Sequence, residues 1–576
     1  MPIDPTNISP VSPGSLIAIL GVVYVHQRTG DGGDLYLTRF GLPHAELLQI
    51  ENWYEKEWFE SHRERLEGTS AVYRTPTRHV NGLHLDMVVK NCRVGEDVPV
   101  DTHTLLEYLS AEFNSPWEEF ALVMEMRENK HGPASIAIRT QEPLAIYVPP
   151  ESMQLWQSGR SRWKMNRIRA RHPGIDLDIL RQYKLLYGWI HGNNIVELLL
   201  QIGIARENLP QHLDALTRKA MADMEKKGYV VADMKPVHII IDEPNVHALL
   251  NMATTAPPEQ ASVQQAAFLR GMIEMGDYSV IDYELLLRTP AHEEEVSSSR
   301  RHTYLDDQRD RFTATPLPSY LNAAEIMGVP YVCGHVESTG GYLWVVGRNA
   351  QLFDYFLPER WRKTHSWRLS SRNEVYYTFT KDHIHLVWKE SRVGETPAAD
   401  LYGESAPLAA QHGYNSPFEE FAVAHYLGAN GVPTVYARAI YMIGSQKLEE
   451  STDRRRYDSH KGVTCIDGAP VLRDDRNYIT LRGYFNGPDW WVAEQKGQLC
   501  TPLDLAQAVE KGRFTSAEVD GLSGAVQSSL RNIGYDGALL RANDLLVAIN
   551  TDAQVLKDKH GKPEVRICNF ELLRKL

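Results

Sequence analysis

Three short stretches of this chain hold the residue types that neutralise anionic groups, move protons and hold hard cations. Lys90 ends an apolar run, and a helix-like segment with Glu118 and Glu119 follows it. Asp233-Met234-Lys235-Pro236-Val237-His238 puts a carboxylate, an ammonium and an imidazole within six residues. Asp282-Tyr283-Glu284 adds two further carboxylates after a short apolar stretch. Each has a plain structural reading. Lys90 with a helix glutamate is an ion pair tying helix to sheet, with Glu119 the preferred partner. Asp233 to Pro236 is a polar turn stopped by proline, Asp282 caps a strand end, and His238 is a packed, hydrogen-bonded ring.

The elements that must position these groups follow from the hydrophobic pattern. Residues 16–25 and 34–39 read as strands around the turn Thr29-Gly30-Asp31-Gly32-Gly33, and 45–67 as a helix. Residues 71–73 and 83–90 read as strands. Asn114 or Ser115 caps a helix, with Pro116 in its first turn and Glu118 and Glu119 favourably placed at its positive end. Strands over 136–139 and 144–148 lead to an expected hinge at 146–150, where Tyr147 stands. Helices are expected over 176–190, 194–201 and 213–227, then strands at 229–231, 239–241 and 278–281. Residues 252–262 look like a loop, and the charged, proline-containing 289–318 like a linker.

The pattern occurs twice. Asn114-Ser115-Pro116-Trp117-Glu118-Glu119-Phe120-Ala121 recurs as Asn415-Ser416-Pro417-Phe418-Glu419-Glu420-Phe421-Ala422. Arg93-Val94-Gly95-Glu96 recurs as Arg392-Val393-Gly394-Glu395, each behind an apolar run ending in lysine, Lys90 or Lys389. The stretches around Asp282-Tyr283-Glu284 and Asn569-Phe570-Glu571 also match. Recurrence in the same order and at similar offsets implies a tandem duplication.

Composition narrows the class. The 576 residues are 43 % hydrophobic and 23 % charged, ordinary for a globular protein. A net charge of −13 disfavours general binding to nucleic acid or anionic membranes. The cluster Arg160, Arg162, Lys164, Arg167, Arg169 and Arg171 is the strongest local basic patch, read as a solvated helix face or a contact for an anionic substrate or RNA. Five scattered cysteines imply reduced, packed thiols, with neither zinc spacing nor a disulfide framework. The first residues lack the pattern of a signal peptide, and no apolar run is long enough to span a bilayer, so a cytoplasmic protein is expected.

The ordered set of a strand lysine, a helix glutamate, Asp-Met-Lys-Pro-Val-His and Asp-Tyr-Glu resembles the protein-kinase-like superfamily. Lys90 and Glu119 resemble its lysine–glutamate pair, Asp233 and Lys235 its catalytic loop, Asp282 its metal-binding aspartate, and Gly68 the remnant of a glycine-rich loop. The resemblance implies ATP with Mg or Mn as cofactor, Asp233 as base, Lys235 as phosphoryl contact and Asp282 with His238 at the metal. It also implies Lys90, Glu119, Gly68 and Tyr147 around the nucleotide. The sequence departs from the family at His238, which replaces a metal-binding asparagine. That favours Mn or a phosphate contact. The glycine loop is poor, and no activation segment follows Asp282.

The second half keeps Lys389, Glu419 and Glu420. It has Leu539 and Arg541 where the catalytic aspartate and lysine stand, and Asn569-Phe570-Glu571 for the metal triplet, as a pseudokinase would. The expected fold is therefore α+β: a tandem duplication of a bilobal kinase-like unit, each copy preceded by a strand–helix segment. The expected divisions are 1–60, 61–290, a linker over 291–318, 319–365 and 366–576. The implied function is an atypical ATP-dependent phosphotransferase acting on an unknown phosphate acceptor. The alternative is an inactive tandem pseudokinase that binds a protein partner.

Overall fold

The computed structural model describes residues 16–66, 71–93, 96, 98, 113–151, 182–204, 209–255, 257–362, 364–370, 373–447, 450–465, 468–484, 500–550, 553–558 and 560–576. These form two compact units, one ending at Glu295 and the other starting at Val296. Gly68 and the basic patch at 160–171 lie outside the described residues.

In the first unit the strands form an eight-stranded antiparallel sheet. Its spatial order is Leu16–Ile19, Val22–Arg28, Asp34–Leu37, Pro143–Val148, Lys184–Gly188, Asp86–Asn91, Val72–Pro76 and Glu64–Arg65. Its central strands are covered on both faces, which is why they read as unbroken apolar runs instead of alternating ones. The helix Pro116–Glu128 seats Trp117 on one face, edge-on to Tyr24 and Tyr36 at 5.4 and 4.9 Å between ring centroids. On the opposite face Leu48, Trp53 and Phe59 pack against Val25, Leu35, Val89 and Tyr147. Complete burial of side chains this large contributes about 1.5–3 kcal/mol apiece.

The second unit repeats the arrangement strand for strand: Asn322–Ile326, Val329–Val336, Gly341–Val346, Ala437–Met442, Tyr478–Gly483, His385–Glu390, Val375–Phe379 and Ser366–Arg368, again fully antiparallel. Its helix Pro417–Ala429 begins with the same capping box, Ser416 with Glu419, that Ser115 makes with Glu118.

Below each large sheet the same small elements recur. In the first unit Gly192–Asn194, Ile239–Asp242, Ser279–Val280 and Arg139–Thr140 form one sheet, and Tyr229–Val231 pairs with Leu286–Arg288. In the second, Thr501–Asp504, Leu545–Ile549 and Arg566–Ile567 form one, and Tyr535–Asp536 pairs with Arg574–Lys575.

Several local expectations are corrected. The apolar segment expected to be helical over 176–190 contains the strand Lys184–Gly188, buried in the middle of the sheet. The chain therefore leaves the large sheet after Gly188, and no hinge lies at 146–150. The 45–67 helix reduces to turns, the short 3₁₀ helix Ile50–Asn52 and the helix Lys56–His62. The expected linker is largely the helix Pro290–Arg309. The loop expected at 252–262 is taken up by the helices Glu243–Thr255 and Pro258–Met275, divided at Pro257. Among the described residues no helix is long and apolar enough to cross a membrane. All five cysteines are unbridged and buried or half-buried.

Candidate functional site

Two loops and one strand of the first unit meet. Asp233 to His238 joins strand Tyr229–Val231 to strand Ile239–Asp242, and Asp282 to Glu284 lies between Ser279–Val280 and Leu286–Arg288. The loops are stitched by backbone bonds, Ile281 N to His238 O at 2.9 Å and Ala232 N to Leu285 O at 3.0 Å. Asp282 has φ +67°, a left-handed conformation that aspartate tolerates better than most residues and that recurs at functional sites.

Lys90 is the hub. Its ammonium lies 2.7 Å from Asp282 Oδ1, 3.3 Å from Glu119 Oε1 and 3.5 Å from Glu284 Oε2. Glu118 is unavailable to it, because its carboxylate accepts from the Ser115 backbone N–H within the capping box. Glu119, one residue on, points to the sheet and also accepts from the Tyr187 hydroxyl at 2.9 Å. Arg93 pairs with the other Glu284 oxygen at 3.4 Å. His238 Nε2 stands 3.7 Å from Asp282 Oδ2, and Lys235 Nζ lies 2.7 Å from Asp233 Oδ2. The remaining Asp233 oxygen, Oδ1, is buried with no hydrogen-bond partner among the described residues.

The electrostatics follow from this packing. Burial acts to lower the Lys90 ammonium, but Asp282, Glu119 and Glu284 outweigh it and hold it well above its ordinary value. Burial pushes the Glu119 carboxyl up to about 7, against the pull of Lys90. Asp282 is also penalised by burial, yet Lys90 and then His238 bring it down to about 2. Burial lowers His238 below the usual imidazole range, despite the attraction of Asp282.

Lys90, Glu119, Asp282 and His238 are thus linked by direct contacts, with Asp233 and Lys235 on the same loop as His238. Tyr147 does not join them. Lys90 pairs with Leu185 and Leu185 with Ile146, so these share one face, whereas Tyr147 pairs with Lys184 and faces the other way. There its hydroxyl donates to Asp31 and its ring meets Trp53 edge-on at 5.8 Å. Tyr283 is fully buried beside the hub, its ring 5.6 Å from that of Tyr187, and its hydroxyl donates to Val280 O and accepts from Gln141 N.

The sequence names Glu284, Arg93 and Asn114 without giving any of them a role at the site, and it does not point to Tyr187. Asn114 does not cap the helix. Its side-chain amide donates to Tyr283 O at 3.3 Å and Leu286 O at 2.9 Å, and its N–H donates to Glu284 O, clamping the Asp282 loop to the helix start. Asn415 makes the same three bonds, to Phe570, Leu573 and Glu571. The signal was present: Arg93, Asn114 and Glu284 all recur in the second half, as Arg392, Asn415 and Glu571. Tyr187 carried none, because Arg482 replaces it.

Around Lys389 the chemistry is different. Lys389 Nζ lies 2.8 Å from Glu571 Oε1 and 3.9 Å from Glu420 Oε2, and donates to Asn569 Oδ1 at 2.9 Å. Arg392 pairs with Glu571, and Arg482 with Glu420 at 2.5 Å. Leu539 is buried, and Arg541 is paired with Asp544, itself bonded to Asn569. No proton-accepting group stands at the place of Asp233.

Among the described residues no group of three or more His, Cys, Asp or Glu side chains is arranged to hold a metal ion. His238 and Asp282 supply two donors. That is too few for an all-protein site, but suits a cation arriving with phosphate oxygens, since Mg²⁺ is commonly held by one or two carboxylates together with its substrate.

No protein-family model matches the chain, and no curated protein sequence is significantly similar to it.

Proposed function

We propose that the first unit is an atypical, kinase-like ATP-dependent phosphotransferase and that the second is a copy of it without phosphoryl-transfer chemistry. One observation carries this reading: a sheet lysine bridges a buried helix glutamate and the left-handed Asp282, beside a loop that offers Asp233, Lys235 and His238. That ordered set is the resemblance noted in the sequence, now brought to one place.

In this reading Lys90 neutralises nucleotide phosphates while Glu119 and Tyr187 fix its position. Asp282, with His238, would hold a divalent cation, Mn²⁺ being better suited than Mg²⁺ to an imidazole ligand. The cation would supply charge neutralisation on the transferring group. Asp233 would accept the proton of the acceptor hydroxyl as its oxygen attacks the γ-phosphorus and the bond to the β-bridging oxygen breaks, leaving ADP. Lys235 would contact the transferring phosphoryl group.

A non-catalytic binding module is the competing reading, favoured by the 2.7 Å Lys90–Asp282 contact, which already occupies the carboxylate. Calorimetric titration of ATP with Mg²⁺, with Mn²⁺ and with chelator separates the two. Catalysis predicts metal-dependent binding that Asp282→Asn weakens at least ten-fold, roughly the worth of one lost charge-assisted contact. It also predicts ADP release that Asp233→Asn abolishes. Metal-dependent binding without ADP release from any acceptor tested would support the binding module, and no metal-dependent binding in folded protein would remove the catalytic reading, leaving Asp233 and Asp282 as structural residues of a protein-binding module.

A further inference from the structure

Between the strands Val72–Pro76 and Asp86–Asn91 of the first unit the chain turns back on itself through Arg78-His79-Val80-Asn81-Gly82-Leu83-His84. Val80 and Leu83 exchange both backbone bonds, Val80 N to Leu83 O at 2.8 Å and Leu83 N to Val80 O at 3.0 Å. Asn81 and Gly82 between them have φ +54° and +80°, the left-handed pair that the tightest hairpin turn requires. The positions next outward from a doubly bonded pair make no bonds across the ladder, and their side chains stand close together. His79 and His84 occupy them.

Both histidines are exposed, with ring centroids 4.7 Å apart and ring planes at 40°. Among the described residues neither has a hydrogen-bond or ion-pair partner. An ion about 2.0–2.1 Å from one nitrogen of each ring brings the two ring centres to about 4.5–5.2 Å, for angles between right and tetrahedral. The observed spacing lies inside that range. Arg78, the adjacent cation, is taken up by Glu55 at 2.9 Å, and Asn81 Nδ2 donates to the Glu46 carboxylate at 3.2 Å, so the charge at the tip does not oppose a cation. Another close pair shows the contrast. His131 and His292 lie face to face at 3.7 Å and 11°, and their nitrogens already meet Glu295, Glu125 and Gly228 O. In the second unit the matching hairpin closes differently, Thr380 N on Ile384 O at 2.9 Å with Asp382 buried between them.

We infer that His79 and His84 together bind one divalent transition-metal ion of the zinc or copper class, in a two-nitrogen site completed by water. Imidazole donors favour such ions over Mg²⁺, which prefers oxygen. His84 precedes the start of the strand whose far end carries Lys90, six residues or about 20 Å on, so this ion is not the one at Asp282. Bound there, it clips the hairpin and adds to the stability of the first unit. The inference uses no residue of the phosphotransferase reading.

The test is calorimetric titration of Zn²⁺ into the untagged, nucleotide-free full chain, beside thermal melts with and without the ion. His79→Ala and His84→Ala should each weaken binding about a hundred-fold, because losing one donor forfeits the gain of linking two. Both side chains are exposed, so both variants should keep the fold. Asp282→Asn should leave binding unchanged, and excess Mg²⁺ should not compete. Zn²⁺ should raise the melting temperature of the wild type and of neither alanine variant. One equivalent of Cu²⁺ followed by electron paramagnetic resonance should show two nitrogen donors in the wild type and one in each variant. No Zn²⁺ binding to the wild type, binding indifferent to both alanine variants, or binding lost in Asp282→Asn overturns the inference.

Discussion

The two lysine hubs sit on matching strands, at the start of matching capped helices, and differ by one charge of each kind. Among the described residues, and setting aside the exposed Glu96 that also pairs with Arg93, Lys90 and Arg93 face Glu119, Asp282 and Glu284, one negative charge in excess. Lys389, Arg392 and Arg482 face Glu420 and Glu571, one positive charge in excess. Two exchanges account for the reversal, Asp282 against Asn569 and Tyr187 against Arg482. The scaffold therefore tolerates either sign, and what each hub attracts is set by side chains that the fold does not require. Backbone conformation follows the same division: Asp282 is left-handed, whereas Asn569, a residue type at least as tolerant of that region, is not.

The largest expected effect comes from leaving a buried charge unpaired. Glu571, 1 % exposed, serves both Lys389 and Arg392. Its carboxyl opposes burial through those two cations and is held well below the ordinary range. Glu571→Gln should destabilise the second unit by about 3–5 kcal/mol in chemical denaturation. Its counterpart Glu284→Gln should cost less, since Lys90 keeps Asp282 and Glu119. Equal losses would mean that the hubs are not organised differently.

Removing the clamp should affect both units alike. Asn114→Ala and Asn415→Ala each delete two buried side-chain bonds to the backbone. A loss of about 1–3 kcal/mol is expected for each. Only Asn114→Ala should also weaken metal-dependent ATP binding, because only its loop carries Asp282. Amide exchange at Glu284 and Glu571 reads the local effect, and a change in one unit alone would break the equivalence.

The smallest effect is a slope with pH. Glu119 rises from the ordinary 4.5 to about 7 on folding, mainly through burial. The folded state thus binds more of its proton than the unfolded state between those values, and this residue's contribution to stability falls as pH rises through that window. Glu119→Gln should remove that component of the slope in thermal melts followed from pH 4.5 to 7. An unchanged slope would mean that Lys90 keeps Glu119 ionised throughout.

The hub was legible because its parts are spaced along the chain in a recognisable order, and because recurrence marks what both halves need. Other features were hidden for physical reasons. A one-residue shift along a strand changes face, so Tyr147 was placed with the site although its neighbour Ile146 has the correct parity. An apolar run buried on both faces has no period, and Lys184–Gly188 accordingly reads as helix. Pro290–Arg309 is so polar that it resembles a linker, although Tyr304 and Ser297 are buried along it. Tyr187 and Arg482, one of the two exchanges that reverse the hub's charge, differ between the halves, so recurrence could not point to either.

The backbone stitch between the two loops has a consequence for how variation accumulates. Ile281 N to His238 O and Ala232 N to Leu285 O join the loops at both ends of the site, and Cys568 N to Asp544 O repeats one of these bonds in the second unit. Residues 233–238 and 282–284 thus share one mechanical frame, and substitutions in them should combine non-additively. A change tolerated on one loop alters which changes the other accepts. The two copies differ on both loops, with Leu539 at the place of Asp233 and Asn569 at the place of Asp282.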